Sequence, residues 1–488
     1  MSQIAIAVFL VGIAGLFYLN RSQGDRARQS WVLWIPALWT FLGASRSVTQ
    51  WLFGGAMVDS PDQYLEGSPI DRWFLSGLVF FGVAILASRA RRVVQFIRAN
   101  PIILIFFLYC LFSVLWSDFP LTAFKRWTKA LGNVTMVLII LTDENPAAAI
   151  KSFFARTSFF LIPLSVLFIK YLPALGRGYF RYTWTTFFTG VATEKNGLGS
   201  ICLVFGLAAL WRFLEVYYSA DRQERKRLML AHGSVLVMTL WLLQKANSAT
   251  SLAVFLLGSV FLLVTMRKGR KRQGTVHALV GMVIAMLIFV LVFPETYGSL
   301  VSMLGRNTTL TGRTDIWNDL FRIHLNPWVG TGFESFWLGD RAKYFWMKYM
   351  FHPNQAHNGY IETYVNLGWI GVFLLGLQIL IGYRNISTAY QRDVPAAPLK
   401  LALLVAAVAF NLTEASFKVM HPVWIAFLLA ILAVPSTMKP PRRKWETAAE
   451  PRAEPTALEE WYQSRELIGR SASLDLTAVE NSEKLNRG

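Results

Sequence analysis

Apolar runs long enough to cross a bilayer recur along most of this sequence, and they restrict its fold more than any other feature. A membrane-spanning helix needs about 20 mostly apolar residues. We predict spans at about 4–20, 31–46, 72–88, 101–116, 129–142, 152–170, 196–218, 229–246, 250–266, 275–293, 361–383, 398–413 and 420–436. The pattern therefore predicts an all-α, polytopic integral membrane protein with about 12–13 transmembrane helices.

The charge composition agrees with a membrane protein. Only 16% of the 488 residues are charged, well below the roughly 25% of soluble domains. A formal net charge of +19 would suggest nucleic-acid binding in a soluble protein. Here the Lys and Arg residues cluster in short segments between spans, as in cytoplasmic loops of membrane proteins, so we expect no nucleic-acid partner. Cys110 and Cys202 both lie in apolar runs, so no disulfide framework is expected.

The positions of Lys and Arg also predict the orientation of the chain. If the spans alternate, the basic segments fall on one side, which is then the cytoplasm: 21–28, 89–98, 221–227, 267–273, 384–393 and the start of the tail. The sequence thus predicts four parts: an N-terminal transmembrane bundle (1–293), a large outer loop (294–360), closing transmembrane helices (361–436) and a polar, mostly disordered cytoplasmic tail (437–488).

One charged residue of the large outer loop lies beside a predicted helix start. The stretch LTGRTDIW (310–317) leads into an amphipathic helix predicted over 314–325, so Arg313 precedes a helix N-terminus. Free N–H groups and the positive dipole end favour anions there, and an Arg adds a planar fork of donors suited to phosphate. Alternatively, Arg313 pairs with Asp315 or Asp319, or lies among lipid headgroups.

A second candidate group lies where the outer loop meets the next span, in AHNGYIETYVNLGWIG. His357 and Asn358 are predicted at the outer mouth, with Glu362 one turn into the helix. A His can act as a general base near neutral pH; alternatively its ring hydrogen-bonds a carbonyl at the helix start. His324 and His352 are near in sequence, but no Cys or carboxylate cluster completes a ligand set, so no metal is expected.

Further charged residues on the predicted outer side are candidates for substrate binding. Glu194 and Lys195 stand in TEKNG at the start of a span, where charges are costly unless they face protein or water. Arg126 lies in WSDFPLTAFKRW, against the positive-inside trend, which suggests an anionic ligand. Arg306, in the large loop, completes the set. Snorkelling to the membrane surface is the alternative for Lys195.

In their order and placement these segments resemble the bacterial O-antigen ligase and polymerase superfamily, particularly its exopolysaccharide-polymerase branch. The resemblance covers roughly 70–435 and is carried by LTGRTDIW, NPWVGTGFESF (326–336) and AHNGYIETYVNLGWIG, and less specifically by WSDFP (116–120) and GVATEKNGLGS (190–200). It implies an inner-membrane enzyme, without metal or other cofactor. Such enzymes transfer a glycan from undecaprenyl diphosphate to an acceptor hydroxyl at the periplasmic face.

The resemblance implies roles for the candidate residues. Arg313 would stabilise the charge that develops on the leaving lipid diphosphate, helped by Lys195 and Arg126. His357 would be the base or an orienting group, with Asn358 and Glu362 holding its tautomer or the sugar. If Glu194 or Glu362 is the base instead, His357 is a binding residue.

Three functions remain open from the sequence. Polymerisation onto a lipid-linked repeat unit is the first interpretation, and ligation to a lipid A-core or other acceptor is the second. A transporter of the lipid-linked sugar is third, although no internal repeat is visible. The expected partners are the undecaprenyl-diphosphate-linked oligosaccharide, membrane lipids, and a chain-length regulator and flippase of the same pathway.

Overall fold

The computed structural model describes residues 2–21, 30–54, 68–179, 184–219, 222–267, 273–292, 313–349 and 352–435. Arg306 and the predicted tail at 437–488 lie outside these residues. The described chain is helical apart from a short antiparallel hairpin of β1 (Arg177–Tyr179) and β2 (Thr186–Phe188), in which Gly178 pairs with Phe187.

The first half of the chain contains nine α-helices in the described residues. They are α1 (Ser2–Leu19), α2 (Trp34–Ala44), α3 (Val48–Phe53), α4 (Pro69–Ser88), α5 (Ala90–Ala99), α6 (Pro101–Phe112), α7 (Pro120–Leu141), α8 (Pro146–Tyr171) and α9 (Pro173–Gly176). Short 3-10 turns at Trp31–Leu33 and Ser113–Trp116 precede α2 and follow α6.

The second half contains a further nine described helices. They are α10 (Lys195–Ser219), α11 (Arg222–Ala246), α12 (Ala249–Met266), α13 (Gln273–Val292), α14 (Arg313–Arg322), α15 (Gly339–Lys348), α16 (Gly359–Gln391), α17 (Ala397–Phe410) and α18 (Pro422–Ile431).

The helices confirm an all-α, multi-pass membrane fold. Among the described residues, six helices are long and apolar enough to cross a bilayer: α4, α8, α10, α11, α12 and α16. The pair α5–α6, bent by 90°, adds a seventh if it counts as one span. Every predicted span overlaps a helix. The apolar parts of α1, α2, α13, α17 and α18 are shorter than the 18 residues required of these six helices. The total number of crossings and the side of each connection stay predictions.

Several helix boundaries differ from the predicted spans. α11 begins at Arg222 and α16 continues to Gln391, so the basic segments predicted as connections at 221–227 and 384–393 are largely helical. α7 begins at Pro120 instead of 129, because its charged first half is helical without being apolar. The basic segment 89–98 is mostly the helix α5 instead of a loop. α5 places Phe96 in the core and leaves Arg91 and Arg98 exposed. The 90° bend between α5 and α6 falls at Asn100, and Pro101 is the first residue of α6.

The core divides into a large and a small part. The large one surrounds α8 and α10, which are buried over most of their length, whereas α4 is mostly exposed. The small one holds α14, α15 and the start of α16 together through Ile316, Leu320, Phe336, Phe345 and Val365. This small core carries the segments between α13 and α16 that the sequence marks for function.

α16 is broken at Gly368, and the loop 326–332 fills the break. Gly368 has φ 63° and ψ −167°, so the helix loses its own hydrogen bonds there. The N–H groups of Trp369 and Ile370 donate instead to the carbonyls of Pro327 and Trp328, at 2.8 and 3.2 Å. A Cβ on Gly368 would lie 2.2 Å from the Trp328 carbonyl, so the close approach requires glycine. The motif NPWVGTGFESF is thus docked onto the spanning helix.

Candidate functional site

Arg313 is the first residue of α14 and reaches across to the connection between α17 and α18. Its Nη2 lies 2.7 Å from Oε1 of Glu414, and its Nη1 donates to the main-chain oxygen of Thr413. Asp319, one of the predicted alternatives, is engaged elsewhere: it contacts Nζ of Lys348 at 2.7 Å and accepts from the Tyr349 hydroxyl at 2.6 Å. The guanidinium group is therefore paired with an acid far away in sequence.

Glu414 is the centre of this group of contacts, and its side chain is only 7% exposed. Besides Arg313, its Oε1 accepts from Nδ2 of Asn196 at 2.9 Å. Its Oε2 lies 3.6 Å from Nδ1 of His357. Burial by itself would raise the pKa of Glu414, but the neighbouring His357 and Arg313 outweigh it and hold the pKa below its ordinary value. Glu414 is therefore a buried carboxylate that faces two cationic or basic groups.

His357 stands just before α16 in a left-handed backbone conformation, with φ 49°. Its Nδ1 is buried and makes no hydrogen bond within the described residues, so this nitrogen does not form the alternative bond to a main-chain carbonyl at the helix start. Such conformations persist where the surroundings fix them, and they are concentrated at functional sites. The imidazole therefore has its Nδ1 edge near Glu414 and an unsatisfied ring nitrogen.

Asn358 fixes the start of α16. Its Oδ1 accepts from the N–H groups of Tyr360 and Ile361, at 2.9 and 3.1 Å, and its Nδ2 donates to the carbonyl of Leu412 at 2.9 Å. Cap bonds of this kind satisfy the free N–H groups at a helix start. Asn358 thereby fixes the backbone that carries His357 against the 411–421 connection.

The 411–421 connection was not predicted as part of the site. Asn411 accepts from the N–H groups of Ser416 and Phe417, and its carbonyl accepts from Gly359 at 2.8 Å. A Cβ on Gly359 would lie 2.0 Å from Asn411 Oδ1, so the two backbones touch. The sequence does carry a signal: Glu414 is an acid between two apolar runs, where an ionisable residue is costly unless it is functional or paired.

Glu362 supports the segments around the site. Its carboxylate accepts from Nε1 of Trp337 at 3.0 Å, from the N–H of Ala356 at 2.7 Å and from Nδ2 of Asn366 at 3.2 Å. The Asn366 side chain in turn accepts from the N–H of Ser335 at 2.8 Å. Glu362 thus ties the residue before His357 to the NPWVGTGFESF segment.

The remaining predicted residues lie in different places. Glu194 is exposed, and Lys195 is half-buried at the start of α10. From the TEKNG segment it is Asn196 that reaches Glu414. Arg126 lies on α7, where its Nη1 donates to the main-chain oxygen of Glu334. The structure therefore brings together Arg313, His357 and Asn196, while Arg126 belongs to a second group of contacts.

The described residues contain no group of three or more His, Cys, Asp or Glu side chains that could hold a metal ion. His352 stacks on Trp346 with ring centroids 4.7 Å apart, and His324 is exposed on the segment after α14. Neither of them joins His357.

Comparisons with known proteins agree with this geometry. Residues 234–376 match the family model described as O-Antigen ligase. The chain is also similar to the Exopolysaccharide production protein ExoQ of Rhizobium meliloti (strain 1021), with 23% identity over 293 residues. The alignment covers 57% of this chain and 63% of that protein, which is less than two thirds of its length.

Both comparisons support a relationship to the O-antigen ligase and exopolysaccharide polymerase superfamily. The matched segment runs from within α11 to the first half of α16. It contains Arg313 and His357, but it ends before Glu414. The ion pair of Arg313 with Glu414 therefore joins the matched segment to a residue outside it.

Proposed function

We propose that this protein lengthens an exopolysaccharide or O-antigen-like glycan at the outer face of the inner membrane. The growing chain would be transferred from undecaprenyl diphosphate to a hydroxyl of a lipid-linked repeat unit. The observation that carries this proposal is the cluster of Arg313, Glu414 and His357, a fixed cation beside a base and its carboxylate. The match to the O-antigen ligase family model and the similarity to the exopolysaccharide production protein support a membrane polysaccharide polymerase or ligase.

The proposed reaction needs a base and a stabilised leaving group. His357 takes the proton from the acceptor hydroxyl, and the oxygen attacks the anomeric carbon of the donor sugar. The bond from that carbon to the diphosphate oxygen breaks, and the electron pair leaves with the lipid diphosphate. Glu414 stabilises the imidazolium ion that forms, as the carboxylate of a catalytic triad does.

Arg313 is suited to the leaving diphosphate. An Arg carries five N–H donors, and two of them donate to Thr413 and Glu414. Within the described residues the other three have no hydrogen-bond partner, so they could donate to phosphate oxygens in the same plane. A preorganised donor aimed at developing charge contributes about 10²–10³ in rate. Because Glu414 holds one edge of the guanidinium group, Arg313 would not need to be reoriented during the reaction.

Ligation is the second candidate function, and the description of the matched family model favours it. The same Arg and His roles would apply, with a lipid A-core sugar or another glycan as the acceptor. Only the acceptor distinguishes the two functions, so an assay must offer both.

The test uses purified full-length protein in vesicles with lipid-linked repeat units and, in parallel, a lipid A-core acceptor. We expect longer lipid-linked chains in buffer containing a chelator, and transfer to lipid A-core would indicate the ligase instead. Movement of the substrate across vesicles without any new glycosidic bond would contradict both and favour a transporter.

Variants of two arginines on the same helix make the test specific. Arg313→Ala should reduce elongation by about 10²–10³. Arg322→Ala, at the exposed end of α14, should leave elongation unchanged. Equal rates for both variants would remove the assigned role of Arg313.

A further inference from the structure

Three cations surround two aromatic rings at one end of the helix bundle. Nζ of Lys170, near the end of α8, lies 5.3 Å from the ring centroid of Trp241. Nζ of Lys245 lies 5.7 Å from the same centroid and 5.5 Å from that of Phe188. Cζ of Arg177, in β1, lies 5.8 Å from the centroid of Phe188. These five side chains form the Trp241 patch.

No acid balances the positive charges of the Trp241 patch within the described residues. Lys170, Arg177 and Lys245 form no ion pair there. Arg177 is held in place by the main-chain oxygen of Ile169, to which its Nε and Nη2 donate at 3.1 and 2.9 Å. The aromatic rings attract cations but carry no net charge. The three cations therefore repel one another, and an anion between them would relieve that repulsion.

The Trp241 patch lies at the same end of the bundle as Arg313. Lys245 is near the end of α11, and the next helix begins at Ala249. Oγ1 of Thr250 lies 2.8 Å from Oγ1 of Thr413, whose main-chain oxygen accepts from Arg313. In the predicted orientation this is the outer end, where Lys and Arg are less frequent than on the cytoplasmic side. The topology rule therefore does not explain why these cations lie there.

An apolar surface adjoins the Trp241 patch. α11 is long and apolar enough to cross a bilayer, and Trp241 lies close to its C-terminal end. Leu240, beside Trp241, and Val237, one turn before it, are 50% and 68% exposed. Lys170 is exposed as well, and Trp241 is half-buried. Trp and Lys at the end of a spanning helix lie at the level of the lipid headgroups, with acyl chains beside the apolar residues.

We propose that the Trp241 patch binds the phosphate of an anionic phospholipid of the outer leaflet, with Lys170 and Lys245 as its ligands. The acyl chains would lie along Leu240 and Val237. Lys and Arg are the usual protein ligands of phosphate oxygens, and basic groups between spanning helices bind lipid headgroups. The exposed apolar side chains beside the lysines favour a lipid over a free phosphate, since a lipid contacts both at once. The lipid is not consumed, so this inference does not depend on the proposed glycan transfer.

The number of lipids that stay bound tests this site. Phosphatidylglycerol is titrated into delipidated, full-length protein in a neutral detergent, and native mass spectrometry counts the bound molecules. Lys170→Gln/Lys245→Gln should bind one molecule fewer than the wild type, with an affinity at that site at least about tenfold weaker, because charged hydrogen bonds are lost. Equal numbers and affinities for the wild type and this variant would overturn the site.

Two further variants separate charge from other effects of substitution. The conservative pair Lys170→Arg/Lys245→Arg keeps both positive charges and should bind the wild-type number of lipids. Lys343→Gln removes an exposed lysine of α15 and is the matched control, which should also bind the wild-type number. A loss in Lys343→Gln equal to that in the double glutamine variant would mean that only the overall charge attracts the lipid, and would overturn the site.

Competition distinguishes the sources of the phosphate. Glycerol phosphate, a headgroup without acyl chains, should not displace phosphatidylglycerol at about tenfold excess. Displacement would assign the patch to a free phosphate and overturn the lipid. Undecaprenyl diphosphate at equal concentration should leave the lipid of the Trp241 patch in place. If it displaces one phosphatidylglycerol from the wild type but none from the double glutamine variant, the patch serves the glycan carrier and our assignment is wrong.

Thermal unfolding separates a lipid site from a purely structural role of the lysines. Phosphatidylglycerol vesicles should raise the Tm of the wild type by about 2 °C or more over neutral phosphatidylcholine vesicles, because a ligand of the folded state stabilises it. Lys170→Gln/Lys245→Gln should lose most of this increase. In phosphatidylcholine it should melt no lower than the wild type, since two neighbouring positive charges are gone. A lower Tm in phosphatidylcholine with an unchanged increase in phosphatidylglycerol would contradict the proposal.

Discussion

Glu414→Gln tests the candidate site most directly, because Glu414 contacts both Arg313 and His357. It keeps the size of the side chain and a carbonyl oxygen for Arg313, but it removes the negative charge. Oε1 of Glu414 lies 2.7 Å from Nη2 of Arg313, and the two side chains are only 7% and 13% exposed. A hydrogen bond to a charged group in such a place contributes about 1.5–3 kcal/mol.

At about 1.4 kcal/mol for each factor of ten, that loss corresponds to a decrease of roughly 10- to 100-fold in elongation, provided that Arg313 must be held in place for the reaction. The assay is the initial rate of chain elongation by protein reconstituted at equal amounts. Asp340→Asn, on an exposed acid of α15, is the matched control and should elongate normally. A wild-type rate for Glu414→Gln would refute the role of the carboxylate.

The same carboxylate predicts a pH dependence of stability. The pKa of Glu414 in the folded protein lies below its ordinary value of 4.5, so the unfolded chain takes up its proton at higher pH than the folded chain. The contribution of Glu414 to stability is therefore present above about pH 4.5 and is lost as the pH falls through the folded pKa. Thermal melts of the wild type should fall more steeply below pH 4.5 than those of Glu414→Gln. Identical slopes would contradict this.

Two further predictions concern the support of the site. Gly368→Ala places a Cβ 2.2 Å from the Trp328 carbonyl and costs about 1–3 kcal/mol more, because φ 63° with ψ −167° is a backbone conformation that essentially only glycine adopts. It should release the loop 326–332 in hydrogen exchange, whereas Gly376→Ala, with nothing within 4 Å of its Cβ, should not. Asp319→Asn removes the charge that Lys348 contacts. It should destabilise the small core by about 1–3 kcal/mol, seen as faster exchange of α14 and α15; unchanged exchange would contradict the prediction.

The elements that the sequence predicts well are those set by local patterns. The apolar runs fall on helices throughout the described residues. The amphipathic helix predicted over 314–325 is observed as α14, with Arg313 at its start. Gly330 and Gly332, in the NPWVGTGFESF segment, have the positive φ angles that glycine adopts readily at turns. Each of these features depends on neighbours a few residues apart.

What the sequence does not disclose depends on contacts between distant residues. Arg313 pairs with Glu414, 101 residues away, and Arg126 holds the carbonyl of Glu334, 208 residues away. Periodicity and capping signals carry no information about such pairs. From the sequence, Glu362 is a candidate for binding the sugar or orienting His357 at the mouth of a span. In the structure its carboxylate accepts hydrogen bonds from Trp337 and from the N–H of Ala356. Whether Glu362 binds substrate or supports the neighbouring backbone depends on how the loop packs on α16, which local sequence patterns do not reveal.

The central claim, that His357 acts as the base in glycan transfer, is tested most directly by a single-turnover measurement. His357→Ala and His324→Ala are compared in vesicles with saturating lipid-linked repeat units. Both variants are first shown to bind farnesyl diphosphate, a soluble prenyl diphosphate, as tightly as the wild type. A general base contributes about 10²–10⁴ in rate. We predict a loss of that size for His357→Ala and none for His324→Ala, which changes an exposed ring. Elongation by His357→Ala at the wild-type rate would contradict the account.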